Sequence, residues 1–130
     1  MIKILLVDDE AKVRQGWRMR LALEADMKVV GEAANAETAV TVAAITQPDV
    51  VLLDIKLPGQ DGLTTIHQLH QVTPGCQVII VTIYDSPHQR IWAEAEGAVA
   101  FITKQESPEK LLTVIREASL NPKNDQFLRK

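Results

Sequence analysis

Asp8, Asp9, Asp54, Thr82 and Lys104 each stand at or just past the end of a short apolar run, and together they supply three carboxylates, one hydroxyl and one ammonium. The runs are Ile2 to Val7, Val50 to Leu53, Val78 to Val81 and Val99 to Thr103. Carboxylates gathered in one place repel one another unless a cation offsets them. A hard divalent ion does this through oxygen ligands, and Mg²⁺ typically takes one or two carboxylates along with waters and phosphate oxygens. Neither cysteine nor histidine belongs to the set, so zinc is a poor fit. The hydroxyl and the ammonium complete what is needed to hold a negatively charged phosphoryl group. Asp54 is the natural nucleophile, because its carboxylate can attack phosphorus and carry an acyl phosphate. One such residue alone would be an ordinary strand-terminating polar group; five at the same kind of position form a site.

Short β-branched runs separated by helix-length segments read as buried parallel strands, whose ligand crevice lies beyond their carboxyl ends. Strand and helix signals alternate five times along the chain. Lys12 to Ala25 carries a helical stripe at Val13, Trp17 and Leu21, weakened by Gly16. Met27 to Ala33 reads as a second strand. Asn35 should cap a helix through about Ile45, which stops before Pro48. After the third strand and the loop from Ile55 to Gly62, a helix is expected from Leu63 to about Val72. Ser86-Pro87 and Ser107-Pro108 each pair an N-cap with proline at the first helical position. They open helices ending near Gly97 and Ser119. The reading is a (βα)5 doubly wound sheet with right-handed crossovers.

The chain has 130 residues, the size of one domain, and at 46% hydrophobic and 24% charged it has ordinary globular composition. A net charge of −3 argues against a nucleic-acid-binding surface on this segment. The single cysteine, Cys76, cannot form an internal disulfide and reads as a small, partly buried residue at a strand entrance. No apolar stretch approaches the roughly 18 to 20 residues of a membrane span. No leader is read before the first strand, and the expected compartment is the cytoplasm.

With these residues placed, the chain resembles the receiver domain of two-component response regulators, from Met1 to about Leu120. The motifs that carry the likeness are Val7-Asp8-Asp9-Glu10, Leu53-Asp54-Ile55-Lys56-Leu57-Pro58-Gly59-Gln60-Asp61-Gly62, Thr82 and Lys104. The resemblance implies a CheY-like, flavodoxin-like five-stranded parallel sheet of order 2-1-3-4-5. It implies that Asp54 accepts a phosphoryl group from a sensor histidine kinase. Asp9, Asp54 and the backbone carbonyl of Lys56 would ligate Mg²⁺, with Asp8 acting largely through water. Thr82 and Lys104 would hold the phosphoryl oxygens, and Phe101 falls at the family's switch aromatic. Val29 to Ala33 and Ser107 to Leu112 look most like the NarL/FixJ-like branch, whose members usually carry a C-terminal helix-turn-helix domain of the LuxR type. That implies transcriptional output, a phosphorylation-dependent homodimer, and DNA contact only through an output domain. Residues 121–130 have tail or linker composition, which favours a receiver ending within its linker over a stand-alone receiver in a phosphorelay.

Two departures from the family bear on phosphoryl lifetime. Ile83 follows Thr82 where a small residue is usual and is expected to shield the site, while Lys56 and Tyr84 occupy tuning positions. Gln105 follows Lys104 where many receivers have a proline that this branch often lacks. An Mg²⁺-dependent phosphohydrolase would use the same parts. Its haloacid-dehalogenase-like form needs Asp-x-Asp, however, and Asp8 and Asp9 are adjacent. A receiver-like scaffold without phosphorylation is weighed against by the retention of all five residues. His67 and His70 read as a solvated helix face, His88 as surface and Trp17 as helix packing. Trp92 reads mainly as packing too, with exposure to a partner as the alternative.

Overall fold

The computed structural model describes residues 1–56, 62–83 and 86–120, with α3 side chains described from Thr64 onward. The loop residues 57–61, Tyr84, Asp85 and the tail 121–130 therefore lie outside the described residues. Five strands and five helices alternate: β1 (Ile2–Val7), α1 (Ala11–Leu21), β2 (Met27–Ala33), α2 (Ala36–Thr46), β3 (Val50–Leu53), α3 (Gly62–Val72), β4 (Gln77–Thr82), α4 (Pro87–Ala95), β5 (Ala98–Thr103) and α5 (Pro108–Ser119). All strand pairs are parallel, in the order β2-β1-β3-β4-β5. This is the doubly wound sheet expected from the sequence, in the order that the family resemblance implies.

The three central strands are buried on both faces, so alternate residues feed two separate cores. Leu5, Val7, Val51, Leu53, Val78 and Ile80 pack against Ala36, Ala39 and Ala43 of α2, Ile66 and Leu69 of α3, and Ala93 of α4. Ile4, Leu6, Val50, Leu52, Ile79 and Val81 pack on the other face against Leu21 of α1 and Leu111, Leu112 and Ile115 of α5. Trp17 is half-buried against this second core, as its helical spacing predicts. On the first face α2 comes so close to β2 that a Cβ on Gly31 would meet Val42 Cγ1 at 2.6 Å.

The helix starts follow their caps. Asn35 Oδ1 accepts from the Thr38 amide at 2.9 Å, and Ser86 and Ser107 accept from Gln89 and Lys110. At its C-terminus α2 closes with Gln47 in the left-handed region at φ 46°, directly before Pro48. α1 is shorter than its sequence pattern suggests. Past Leu21 the chain tightens into turns in which Leu23 N donates to Arg20 O and Glu24 N to Leu21 O. Continuing the helix would carry Glu24 onto the apolar stripe, three residues after buried Leu21. Cys76 is fully rather than partly buried, since it packs inside the first core.

Candidate functional site

The sheet register aligns the ends of its central strands. Val7 pairs with Leu53, and Leu53 with Ile80. The ladder then continues one residue past the strand ends: Asp54 N donates to Val7 O at 3.0 Å and Asp8 N to Ala33 O at 3.1 Å. Asp8 and Asp54 are thus held side by side by main-chain bonds. β4 runs two residues further, to Thr82, which pairs with Thr103, and Lys104 N donates to Thr82 O at 2.7 Å. The strand ends seen in the sequence converge on one rim.

Side chains complete the cluster. Carboxylate oxygens from Asp8, Asp9 and Asp54 all lie within 4.8 Å of one another. Asp8 and Asp54 are buried, while Asp9 is exposed at the mouth. Lys104 Nζ donates to Asp8 Oδ2 at 2.6 Å and to Asp54 Oδ2 at 3.1 Å, bridging the two buried acids. The remaining oxygens are also engaged, Asp8 Oδ1 by the Glu10 amide and Asp54 Oδ1 by the Lys56 amide. Burial pulls the Lys104 ammonium down most strongly of any single influence. Its hydrogen bonds to Asp8 and Asp54 and their charges together outweigh that, and its pKa ends above the ordinary 10.5. Oxygen donors of this number and charge fit a hard divalent cation and no soft one.

The other expected residues fall nearby. Thr82 is fully buried, Ile83 is half-exposed, and Gln105 Nε2 donates to Ile83 O at 3.4 Å, joining the two loops at the rim. Lys56 is exposed, with its amide on Asp54. Phe101 is buried, and Arg90 of α4 grips it twice. The guanidinium lies 4.6 Å from the ring centroid, and Nη1 donates to the Phe101 carbonyl at 3.2 Å. Trp92 and Ile91 are exposed on α4, with the His88 and Trp92 rings 4.9 Å apart. His67 is exposed, but His70 is half-buried, which corrects the reading of both as solvated. Its ring lies against Gly97, where a Cβ would meet Cε1 at 2.9 Å.

Sequence reasoning missed Arg14. Its Nη1 donates to the carbonyl oxygen of Asp8 and its Nε to Glu32 Oε1. The i,i+4 pair Arg14 and Arg18 was visible, but not that the end of β2 would supply the acid. Arg14 and Trp17 line the small space beneath Asp8 and Asp54.

Comparison with known proteins agrees with this geometry. The family model described as "Response regulator receiver domain" matches residues 4–116. The nitrate/nitrite response regulator protein NarL of Escherichia coli K12 is 31% identical over 116 residues, covering 89% of this chain and 54% of NarL. The chain therefore spans about half the length of the curated relatives it matches. Among solved structures, the response regulator domain of Thermotoga maritima CheB superposes with a TM-score of 0.84 at 33% identity, covering 92% of this chain and 96% of that one. A LuxR-family two-component response regulator from Aurantimonas sp. SI85-9A1 gives 0.87 at 30% identity, covering 92% and 85%. An acidic rim bridged by one lysine, on a sheet of this order and with these likenesses, places the chain in the response regulator receiver domain family.

Proposed function

We propose that the chain is a phosphorylation switch whose acceptor is Asp54. The observation that carries this reading is the shared ammonium: Lys104 bridges Asp54 and Asp8, beside a third carboxylate on Asp9. In the proposed step an Asp54 carboxylate oxygen attacks the phosphorus of a phosphohistidine on a sensor kinase. An O–P bond forms, the P–N bond breaks, and the imidazole leaves with the bonding pair and takes up a proton. Hydrolysis of the acyl phosphate returns the carboxylate and inorganic phosphate.

Asp8, Asp9, Asp54 and the Lys56 carbonyl would hold Mg²⁺, which when bound neutralises charge on the phosphoryl oxygens. Thr82 and Lys104 would donate to those oxygens, drawing Lys104 away from Asp8. Ile83 would screen the acceptor from water. Tyr84, proposed to tune lifetime from its position two residues after Thr82, lies outside the described residues. A rearrangement at Thr82 would pass to Phe101, and through Arg90 to α4 with its exposed Ile91 and Trp92. Residues 1–120 would form the switch, with 121–130 as tail or the start of a linker. A phosphorylation-dependent homodimer and a LuxR-type DNA-binding domain are the proposed output. No described helix is long and apolar enough to cross a membrane.

Intact-protein mass spectrometry after incubation with acetyl phosphate and Mg²⁺ tests the acceptor. One phosphoryl adduct on the wild type, absent from Asp54→Asn, is the expected result. An adduct that survives in Asp54→Asn would remove Asp54 from the role.

A further inference from the structure

Arg14 sits six residues after Asp8, at the end of the first turn of α1, and reaches the acidic rim through the main chain. Its Nη1 donates to the Asp8 carbonyl oxygen, and its Nε donates to Glu32 Oε1 at 3.1 Å. Arg18, one turn on, holds the other Glu32 oxygen. The Arg14 side chain is only 17% exposed, so the guanidinium is fixed between α1 and the end of β2 rather than moving in solvent.

The Asp8 carbonyl belongs to the peptide that joins Asp8 to Asp9. A peptide unit is planar, so pinning its oxygen sets the direction in which Asp9 leaves that plane. Asp8 has little need of the help, because the Glu10 amide and Lys104 already hold its carboxylate. Asp9 is exposed at the mouth, where side-chain freedom is greatest. We infer that Arg14 is a positioning residue for the divalent-cation site, orienting the Asp9 carboxylate through the Asp8–Asp9 peptide while Glu32 anchors the guanidinium. The inference rests on the reading of Asp8, Asp9 and Asp54 as that site.

Charge and positioning make opposite demands. A guanidinium near three carboxylates repels an incoming cation, so by charge alone its removal tightens binding. By positioning, its removal weakens binding. Calorimetric titration of the full chain with MgCl₂ separates the two, with circular dichroism and thermal melting to confirm folding. Arg14→Gln is expected to weaken Mg²⁺ binding about tenfold, the low end for loss of a partner behind a metal ligand. Arg14→Lys keeps the charge but loses the planar fork that reaches Glu32 and Asp8 together, so it is expected to weaken binding as well. Glu32→Asp keeps the charge but shortens the reach to the guanidinium, and it carries the test if Arg14→Gln does not fold; a fall of up to about tenfold is expected. Unchanged or tighter binding in folded Arg14→Gln, or full rescue by lysine, overturns the inference, as does unchanged binding in Glu32→Asp. A wild type that binds no Mg²⁺ removes the cation site itself and the inference with it. Equal binding by wild type and all variants removes only the role of Arg14.

Discussion

Replacing Lys104 with methionine keeps most of the aliphatic stem and deletes the one charge shared by two buried acids. At an effective dielectric constant of about 20, unit charges at the observed 2.6 and 3.1 Å attract by about 6 and about 5 kcal/mol. Much of that is cancelled by the cost of taking the ammonium out of water. Removing one partner of a buried pair typically costs about 3 to 5 kcal/mol. Asp9 and the open mouth let water reach the rim, so the low end applies and Lys104→Met should lose about 3 kcal/mol. In a domain of this size that lowers the melting temperature by about 10 °C. Lys104 holds its proton more firmly folded than unfolded. Its contribution is therefore complete below its ordinary pKa and is lost only as pH rises through the higher folded value. The deficit should then be constant from pH 7 to about 9 and shrink in stronger alkali. Mg²⁺ supplies the missing charge, so the variant should bind it more tightly than the wild type and recover more than half of the lost stability at saturation. Urea melts with and without Mg²⁺ measure all of this. A loss below about 0.5 kcal/mol without metal, on the scale of an exposed pair, would refute the bridging role. So would equal stabilisation of both proteins by Mg²⁺.

Ile83→Ala should speed the gain of the phosphoryl adduct, its loss, or both, as followed by time-resolved mass spectrometry; unchanged rates would show that Ile83 is no screen. Arg90→Met removes a cation–π contact and a hydrogen bond to the Phe101 carbonyl and should cost about 1 to 2 kcal/mol. Its fluorescence should also change through Trp92 on the same helix, and an unaltered spectrum would argue against coupling from Phe101 into α4. Gly16 lies mid-helix with nothing within 4 Å of a built Cβ, so Gly16→Ala should raise stability by about 0.5 to 1 kcal/mol, read from the same melts.

The parts legible from the sequence were those set by neighbours along the chain. β2 and β3 span the residues that the sequence assigns to them, and α2, α4 and α5 follow Asn35, Ser86 and Ser107 because each supplies its own cap. The rim was legible for a related reason: a parallel sheet sends all its strand ends to one side, so a polar residue ending an apolar run needs no partner to be placed. What was missed depends on which elements become neighbours. Glu32 meets Arg14 only because β2 lies beside β1, and His70 is covered only because the turn before β5 folds over α3. The end of α1 was overestimated because neither glycine nor proline marks it, and the stop comes from running out of apolar residues to bury. Lys104 was expected at the phosphoryl oxygens; its bridge between Asp8 and Asp54 adds a second task, visible only once the ends of β1 and β3 are seen in register.

That register also divides the molecule by its tolerance of length. β3 is four residues long and buried on both faces, and Asp54 follows it directly. An inserted residue inside β3 would turn its side chains over and carry the acceptor off the rim. The same insertion between α1 and β2, where Ala22, Leu23 and Ala25 are exposed, would cost at most the ties from Arg116 to Glu24 and Asp26 and leave the rim in register. Length changes in related chains should therefore gather at the edge where the strands begin, and tags or inserted domains are best placed there.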